Sequence, residues 1–293
     1  MTELAGGEDA GGSAGRLVEA ALAEDVGDGD RTTAWSVPEG ARGSANIVSR
    51  EEGVIAGGGL VERVFGALSP EVRVEADVED GEGVEPGDAV CRLRGPLAPI
   101  LTGERTALNF LSHLSGVATR TRAFVRAVEH TPCRITDTRK TTPGWRRLEK
   151  AATRAGGAVN HRMGLYDMVL LKENHVRAAG GVREALEAVR GRAEDEGLAV
   201  EVEVESLAEL RQALPGRPDR VLLDNMSLSE LRSAVRIVDR EEGGRPELEA
   251  SGNVDLESAP AVAETGIDLI SVGRLTHSAP ALDLSLLVEQ VEE

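Results

Sequence analysis

The sequence predicts an α/β protein whose larger part is a set of parallel βα units of barrel type, preceded by a smaller α/β module. Two observations carry this expectation. After Pro132, six short runs (CRITDT, YDMVLLKEN, LAVEVEVES, RVLLDN, PELEASGN and IDLISVG) are mostly apolar, end in polar residues and alternate with helix-like stretches. That is the rhythm of strand, crossover helix and parallel strand, and one further strand would make an α/β barrel. The 293 residues also exceed one average domain while suiting a barrel with an appended module.

The elements follow in order. Residues 1–15 lack apolar periodicity and are expected to form a mobile acidic tail. From Arg16 to Val26, Leu17, Ala20, Ala21 and Ala23 fall near helical spacing, and the helix should stop at the GDGD that follows. The acids there, Asp25, Asp28 and Asp30, do not match an EF-hand loop, because the sixth position counted from Asp28 is Thr33 rather than Gly; a turn is the better reading. Ser44–Ile55 reads as two short strands around a turn. The glycines of GGGLVERVFGAL then open a helix, without the GxGxxG spacing of a dinucleotide site. Val72–Val78 alternates as a half-buried strand, and GEGVEPGDAVCRLRGP reads as a hairpin bending at Pro86 and Gly87. Leu101–Val128 is helical, with a break expected near Gly116 and a buried face of Leu108, Leu111, Leu114 and Val117. Beyond the six strand runs, a C-terminal helix is expected around Leu282–Val291.

Composition narrows the function classes. Cys91 and Cys133 lie far apart without CxxC spacing, which argues against a disulfide framework or structural zinc and favours a reducing cytoplasm. No apolar run reaches the roughly 20 residues of a membrane span, and the N-terminus lacks a signal peptide's basic and apolar regions. A net charge of −18 disfavours nucleic acid as a partner. The acidic, Lys-poor composition suits a salt-rich solvent, as in a halophile.

Against that background Thr131–Arg177 is a basic island, with ten Arg or Lys facing four acids. The chain has three lysines and thirty arginines, and Lys140, Lys150 and Lys172 all fall inside the island. Arg forks match carboxylate and phosphate oxygens in pairs and Lys supplies a point charge, so a small, multiply anionic substrate is expected.

In an α/β barrel the C-terminal strand ends form one face and converge on the active site. That face collects Asp137, Arg139 and Lys140; Lys172, Glu173 and Asn174; Glu203 and Glu205; Asp224 and Asn225; Ser251, Gly252 and Asn253; and Gly273 and Arg274. The early strands supply cations, while Glu203 and Asp224 offer hard oxygens suited to Mg²⁺. The glycine-bearing turns SGN and VGR stand where barrels commonly hold a phosphate on backbone N–H groups. The residues alone therefore indicate a phosphorylated, metal-chelating anion bound together with a carboxylate.

The runs ALAEDVGDGDRTT, GERTALNFLSHLSGVAT, TDTRKTTPGWRRLEKAA, GGAVNHRMGLYDMVLLKENH, EVEVES, LLDNM, ASGNV and SVGRLTHSAPALD, in this order, resemble quinolinate phosphoribosyltransferase. The resemblance covers nearly all of Arg16–Leu286. It implies an N-terminal α/β sandwich over 16–115, completed by 275–293, and an incomplete seven-stranded α/β barrel over 116–274. The activity implied joins quinolinate to the phosphoribosyl group of phosphoribosyl pyrophosphate, with loss of CO₂ and with Mg²⁺, in NAD biosynthesis. The assembly implied is a homodimer, or a hexamer built as a trimer of dimers, in which Arg105 crosses the interface to the neighbour's quinolinate.

By matching motif, Arg139, His161, Arg162 and Lys172 correspond to the quinolinate pocket. Lys140, Glu203, Asp224, Ser251, Gly252, Asn253 and Gly273 correspond to the phosphoribosyl pyrophosphate site. Lys140, Lys172, Glu203 and Asp224 are the implied catalytic set, with Lys172 also facing phosphoribosyl pyrophosphate and with Glu203 and Asp224 on the metal. Asn253 stands where many relatives have glycine. The alternatives are a nicotinate phosphoribosyltransferase, the molybdenum-transport-associated homologue, and a non-catalytic protein that binds a phosphorylated metabolite.

Overall fold

The computed structural model describes residues 8–241 and 244–292. In chain order the elements begin α1 (Glu8–Val26), α2 (Arg31–Ser36), β1 (Arg42–Ser49), β2 (Gly53–Val54), α3 (Gly58–Leu68), β3 (Arg73–Ala76), β4 (Gly83–Val84), β5 (Ala89–Pro96) and α4 (Leu97–Val128). They continue with β6 (Arg134–Thr136), α5 (Arg146–Ala155), β7 (Val169–Leu171), α6 (Glu173–Ala179), α7 (Val182–Glu196), β8 (Val200–Val204) and α8 (Leu207–Ala213). The remainder is β9 (Arg220–Asp224), α9 (Leu228–Val238), β10 (Glu247–Ser251), α10 (Ala259–Ala263), β11 (Leu269–Ser271), α11 (Arg274–His277) and β12 (Leu284–Glu292).

The chain divides into two compact units. The first comprises 1–122, 142–157 and 278–293, and is built on an antiparallel sheet of order β12-β1-β5-β3, with the short pair β2-β4 beside it. Apolar residues of α3 and α4 fill its core: Leu60, Val61, Val64 and Phe65 from one, Leu108, Leu111, Leu114 and Val117 from the other. Each such side chain contributes about 1.5–3 kcal/mol when fully buried.

Four expectations for this unit are corrected. Residues 8–15, read as tail, continue α1, while the remainder of that tail lies outside the described residues. The C-terminal segment is a strand rather than a helix, because Leu282, Leu284 and Leu286 are buried at a spacing of two and β12 pairs antiparallel with all of β1. The helix through Gly116 is unbroken. Its glycine instead admits the Pro280 carbonyl, which a Cβ would meet at 1.9 Å. Finally, β3 is mostly exposed, as befits the edge of its sheet.

The second unit, 123–141 and 158–277, is a parallel sheet of order β6-β11-β10-β9-β8-β7 with its helices. A lone parallel bridge, Thr136 to Val159, extends it beyond β6 by a seventh, one-residue strand. All six strand runs read from the sequence are present. Val200, Val202 and Val204 of β8 belong to the apolar core of this unit, while Glu201 and Glu203 have the opposite parity. Cys91 and Cys133 are both buried free thiols, each pushed up to about 12 chiefly by burial. No helix among the described residues is long and apolar enough to cross a membrane.

Candidate active site

Parallel register sets Ser251 of β10 opposite Asp224 of β9 and Ser271 of β11 opposite Thr136 of β6, with Glu203 of β8 two residues lower, opposite Leu222 of β9. The second unit thus holds eleven of the twelve residues expected in the site, the exception being Arg105. That residue is exposed on α4 in the first unit.

The loop after β6 turns on Asp137. Its buried carboxylate accepts a 2.6 Å bond from Asn160 Nδ2 and a 2.9 Å bond from the His161 N–H. These bonds tie the Asn160–Arg162 segment to the loop that carries Arg139, whose charge acts on Arg162. Thr276 Oγ1 donates to the Lys140 carbonyl at 2.6 Å, tying the loop to α11. A Cβ on Gly273 would lie 3.0 Å from Lys140 Cδ, so this glycine lets the lysine stem pass against the backbone. Lys140 and Gly273, both assigned to the phosphorylated substrate, are therefore brought together.

Arg162 is only 9% exposed. Its Nη1 donates to the Met168 carbonyl at 3.2 Å, while its buried Nε has no hydrogen-bond partner among the described residues. Burial and then the positive charge of Arg139 lower its pKa, with Glu201 and Asp167 opposing the shift. A guanidinium still keeps its charge. A buried donor without an acceptor, next to a like charge, is stabilised by an anion with oxygens to share.

Lys172 Nζ lies 2.7 Å from Glu203 Oε2, so the pair holds the lysine over the end of the neighbouring strand. Asp224 Oδ2 accepts from Asn225 Nδ2 at 2.7 Å. Asn225 is in the left-handed region at φ +54°, and its N–H reaches the Ser251 carbonyl at 2.9 Å, closing β9 onto the SGN turn. There Gly252 has φ +103° and Asn253 φ +51°. Asn visits the left-handed region more readily than other side chains, so Asn253 accommodates this φ.

Glu203 and Asp224 fit Mg²⁺ physically. They are hard carboxylates at the ends of adjacent strands, and Mg²⁺ commonly takes one or two carboxylates with substrate phosphates and water. Among the described residues, three metal-type side chains cluster elsewhere, at His161, Glu201 and Glu249. Sequence reasoning missed Glu201, Glu249 and their partner Arg220. The signal was present in the strand parity: Glu201 precedes Glu203 by two, Glu249 precedes Ser251 by two, and Arg220 precedes Asp224 by four, so each shares the face of a strand-end site residue.

His161 also differs from a simple pocket-lining cation. It is buried, and the Arg162 N–H donates to its Nδ1 at 2.8 Å. Its Nε2 stands 3.0 Å from Glu201 Oε2. Both ring nitrogens thus face protein groups.

The comparisons agree with this architecture. Models for the quinolinate phosphoribosyl transferase N-terminal and C-terminal domains match residues 30–115 and 117–287. The chain is 44% identical over 276 residues to a nicotinate-nucleotide pyrophosphorylase [carboxylating] of Mycobacterium leprae, covering 92% of this chain and 95% of that one. It is 42% identical over 267 residues to a probable enzyme of the same name from Synechocystis, covering 91% and 90%. The nicotinate-nucleotide pyrophosphorylase structure from Francisella tularensis superposes with a TM-score of 0.89 at 40% identity, over 95% of this chain and 96% of that one. Two matched domains in order, near-complete coverage and the same fold mean that the chain belongs to the quinolinate phosphoribosyltransferase family.

Proposed function

We propose that this protein is a pentosyltransferase that transfers the phosphoribosyl group of phosphoribosyl pyrophosphate to quinolinate. The products are nicotinate mononucleotide, pyrophosphate and CO₂. The observation that carries the reading is the buried, incompletely paired Arg162 fork beside Arg139 at the strand ends, in a chain whose relatives bear the carboxylating name.

Arg139, Arg162 and Lys172 receive the two carboxylates of quinolinate, with His161 beneath them, and orient the pyridine nitrogen toward C1 of the ribose. Lys140 and Lys172 offset charge on the phosphates. The SGN turn, Ser251 to Asn253, and Gly273 present backbone to the 5′-phosphate. Glu203 and Asp224 hold the ribose hydroxyls or Mg²⁺; when bound, the ion neutralises charge on the pyrophosphate.

The nitrogen bonds to C1 as the C1–O bond to pyrophosphate breaks. The resulting pyridinium draws in the electron pair left at C2 when the adjacent carboxylate departs as CO₂, and a proton from water then fills C2. The protein supplies position and electrostatics rather than a covalent intermediate.

Arg105 is assigned to a neighbouring subunit's pocket in a homodimer, or in a hexamer of such dimers. The acid-rich composition and buried thiols are in keeping with a cytoplasmic enzyme of a salt-rich cell.

The test is simultaneous measurement of pyrophosphate and CO₂ from quinolinate, phosphoribosyl pyrophosphate and Mg²⁺, at low and at molar salt. Equal release is expected. A preference for nicotinate, or pyrophosphate without CO₂, would overturn the proposal.

A further inference from the structure

One layer below the strand ends, the interior of the second unit is ionic. Glu201 of β8 stands opposite Arg220 of β9, and Glu249 of β10 opposite Leu222. Glu201 and Glu249 are both 0% exposed. Arg220 Nη1 lies 3.1 Å from Glu249 Oε2, and its other arm holds Glu247 at 2.9 Å. Into this layer reaches His161, its Nε2 3.0 Å from Glu201 Oε2 and 3.6 Å from Glu249 Oε1.

The ring's protonation follows from its other nitrogen. Nδ1 accepts the Arg162 N–H, so it carries no proton, and the proton of a neutral ring must sit on Nε2, the nitrogen 3.0 Å from Glu201 Oε2. An imidazolium would set Nδ1–H against the Arg162 N–H. The negative charge of Glu201 beside Nε2 therefore favours the proton there, in the tautomer that lets His161 hold the Arg162 backbone. The same charge also acts on the Arg162 guanidinium, opposing the repulsion from Arg139.

Such a layer is costly. Neither Glu201 oxygen nor Glu249 Oε1 has a well-aligned hydrogen-bond donor among the described residues. Apolar replacements of buried ions are often neutral or stabilising, so packing alone is a weak reason for these residues.

Building on the assignment of Arg162 to a substrate carboxylate, we infer that Glu201, supported by Glu249 and Arg220, is a positioning residue. It fixes the His161 tautomer and, through it, the Arg162 fork. The inference concerns the quinolinate side of the site and not the phosphate side.

Two independent measurements test it. In the wild-type protein, long-range ¹H–¹⁵N correlation of the His161 ring should show an unprotonated Nδ1 and a protonated Nε2. A protonated Nδ1 would overturn the inference, and this readout needs no substrate and no variant. In steady-state kinetics, Glu201→Gln should raise KM for quinolinate by about tenfold or more while KM for phosphoribosyl pyrophosphate changes by less than about twofold. Glu201→Asp, which keeps the charge, should recover part of the loss. Equal rises in both constants, or none in either, would refute the role. So would a stoichiometric divalent cation that stays bound to His161, Glu201 and Glu249 through chelation. If Glu201→Gln fails to fold, the wild-type tautomer still decides. If wild-type protein shows no coupled release of pyrophosphate and CO₂, the substrate reading fails separately.

Discussion

Gly252→Ala is the sharpest probe of the SGN turn, because the structure fixes what the added methyl meets. An ideal Cβ there would stand 2.2 Å from Asn225 Oδ1, 2.6 Å from its Cγ and 3.1 Å from its backbone N. The side chain cannot simply swing aside without losing its 2.7 Å bond to Asp224, worth about 1.5–3 kcal/mol for a charged acceptor. The φ of +103° adds strain of about 1–3 kcal/mol for any residue with a Cβ. With partial relaxation the total cost is about 2–4 kcal/mol. If the turn keeps its shape, the cost appears as lost stability. If it shifts, the cost appears as weaker binding of the phosphate, up to about thirty- to a thousandfold in affinity. The assay is therefore paired: thermal unfolding, and KM for each substrate. Unchanged unfolding together with an unchanged KM for phosphoribosyl pyrophosphate would refute the reading of the turn as a tight backbone cradle. Asn253→Gly, which only relaxes a tolerated φ, should leave both close to wild type.

Arg162→Ala should weaken quinolinate more than phosphoribosyl pyrophosphate, by about 1.5–3 kcal/mol for the lost charge-assisted contact; equal weakening of both would dissolve the proposed division of the site. Arg105→Ala should abolish turnover yet regain it in mixed assemblies with a chain carrying Lys172→Ala, and failure of rescue would mean that Arg105 serves its own subunit. Burial and then the neighbouring Glu201 push the Glu249 carboxyl up to about 7, with Ser271 and Arg220 acting in the opposite direction. The folded state then binds the extra proton between roughly pH 4.5 and 7, so stability falls as pH rises through that window, by at most about 3 kcal/mol. Urea unfolding at pH 5 and pH 8 should show this slope in the wild type and lose it in Glu249→Gln; an unaltered slope would place the titration elsewhere.

The second unit was the more legible part of the chain because parallel strands buried on both sides leave compact apolar runs closed by polar residues. RVLLDN and PELEASGN are therefore recognisable by eye, and their terminal Asp224 and Ser251 fall at one level in the structure. The first unit was harder to read. In β12 the alternation of Leu282, Leu284 and Leu286 is masked by Leu287 and Val288, exposed apolar residues that complete a helical pattern. Gly116 likewise looked like a helix break because its true reason, the approach of Pro280, lies far away in sequence. The candidate site was legible wherever a residue ends a strand, as with Lys172, Glu203 and Asp224. It was illegible one layer down, because a lone acid inside a strand gives no hint of its partner until register sets Glu201 opposite Arg220.

That lower layer also bears on the charge pattern of the whole chain. Barrel interiors are usually filled by branched apolar residues in layers, and an ionic layer forgoes that packing. Here the layer lies under a mouth where Arg139 and Arg162 repel one another. The Glu201 carboxylate below them moderates that repulsion without occupying the pocket, while Glu249 is engaged by Arg220. A chain of net charge −18 can thus present a concentrated cationic site. The acids that offset it from below are fixed on the rigid strands β8 and β10, while Arg139 and Arg162 sit on the loops above and remain directed at the substrate.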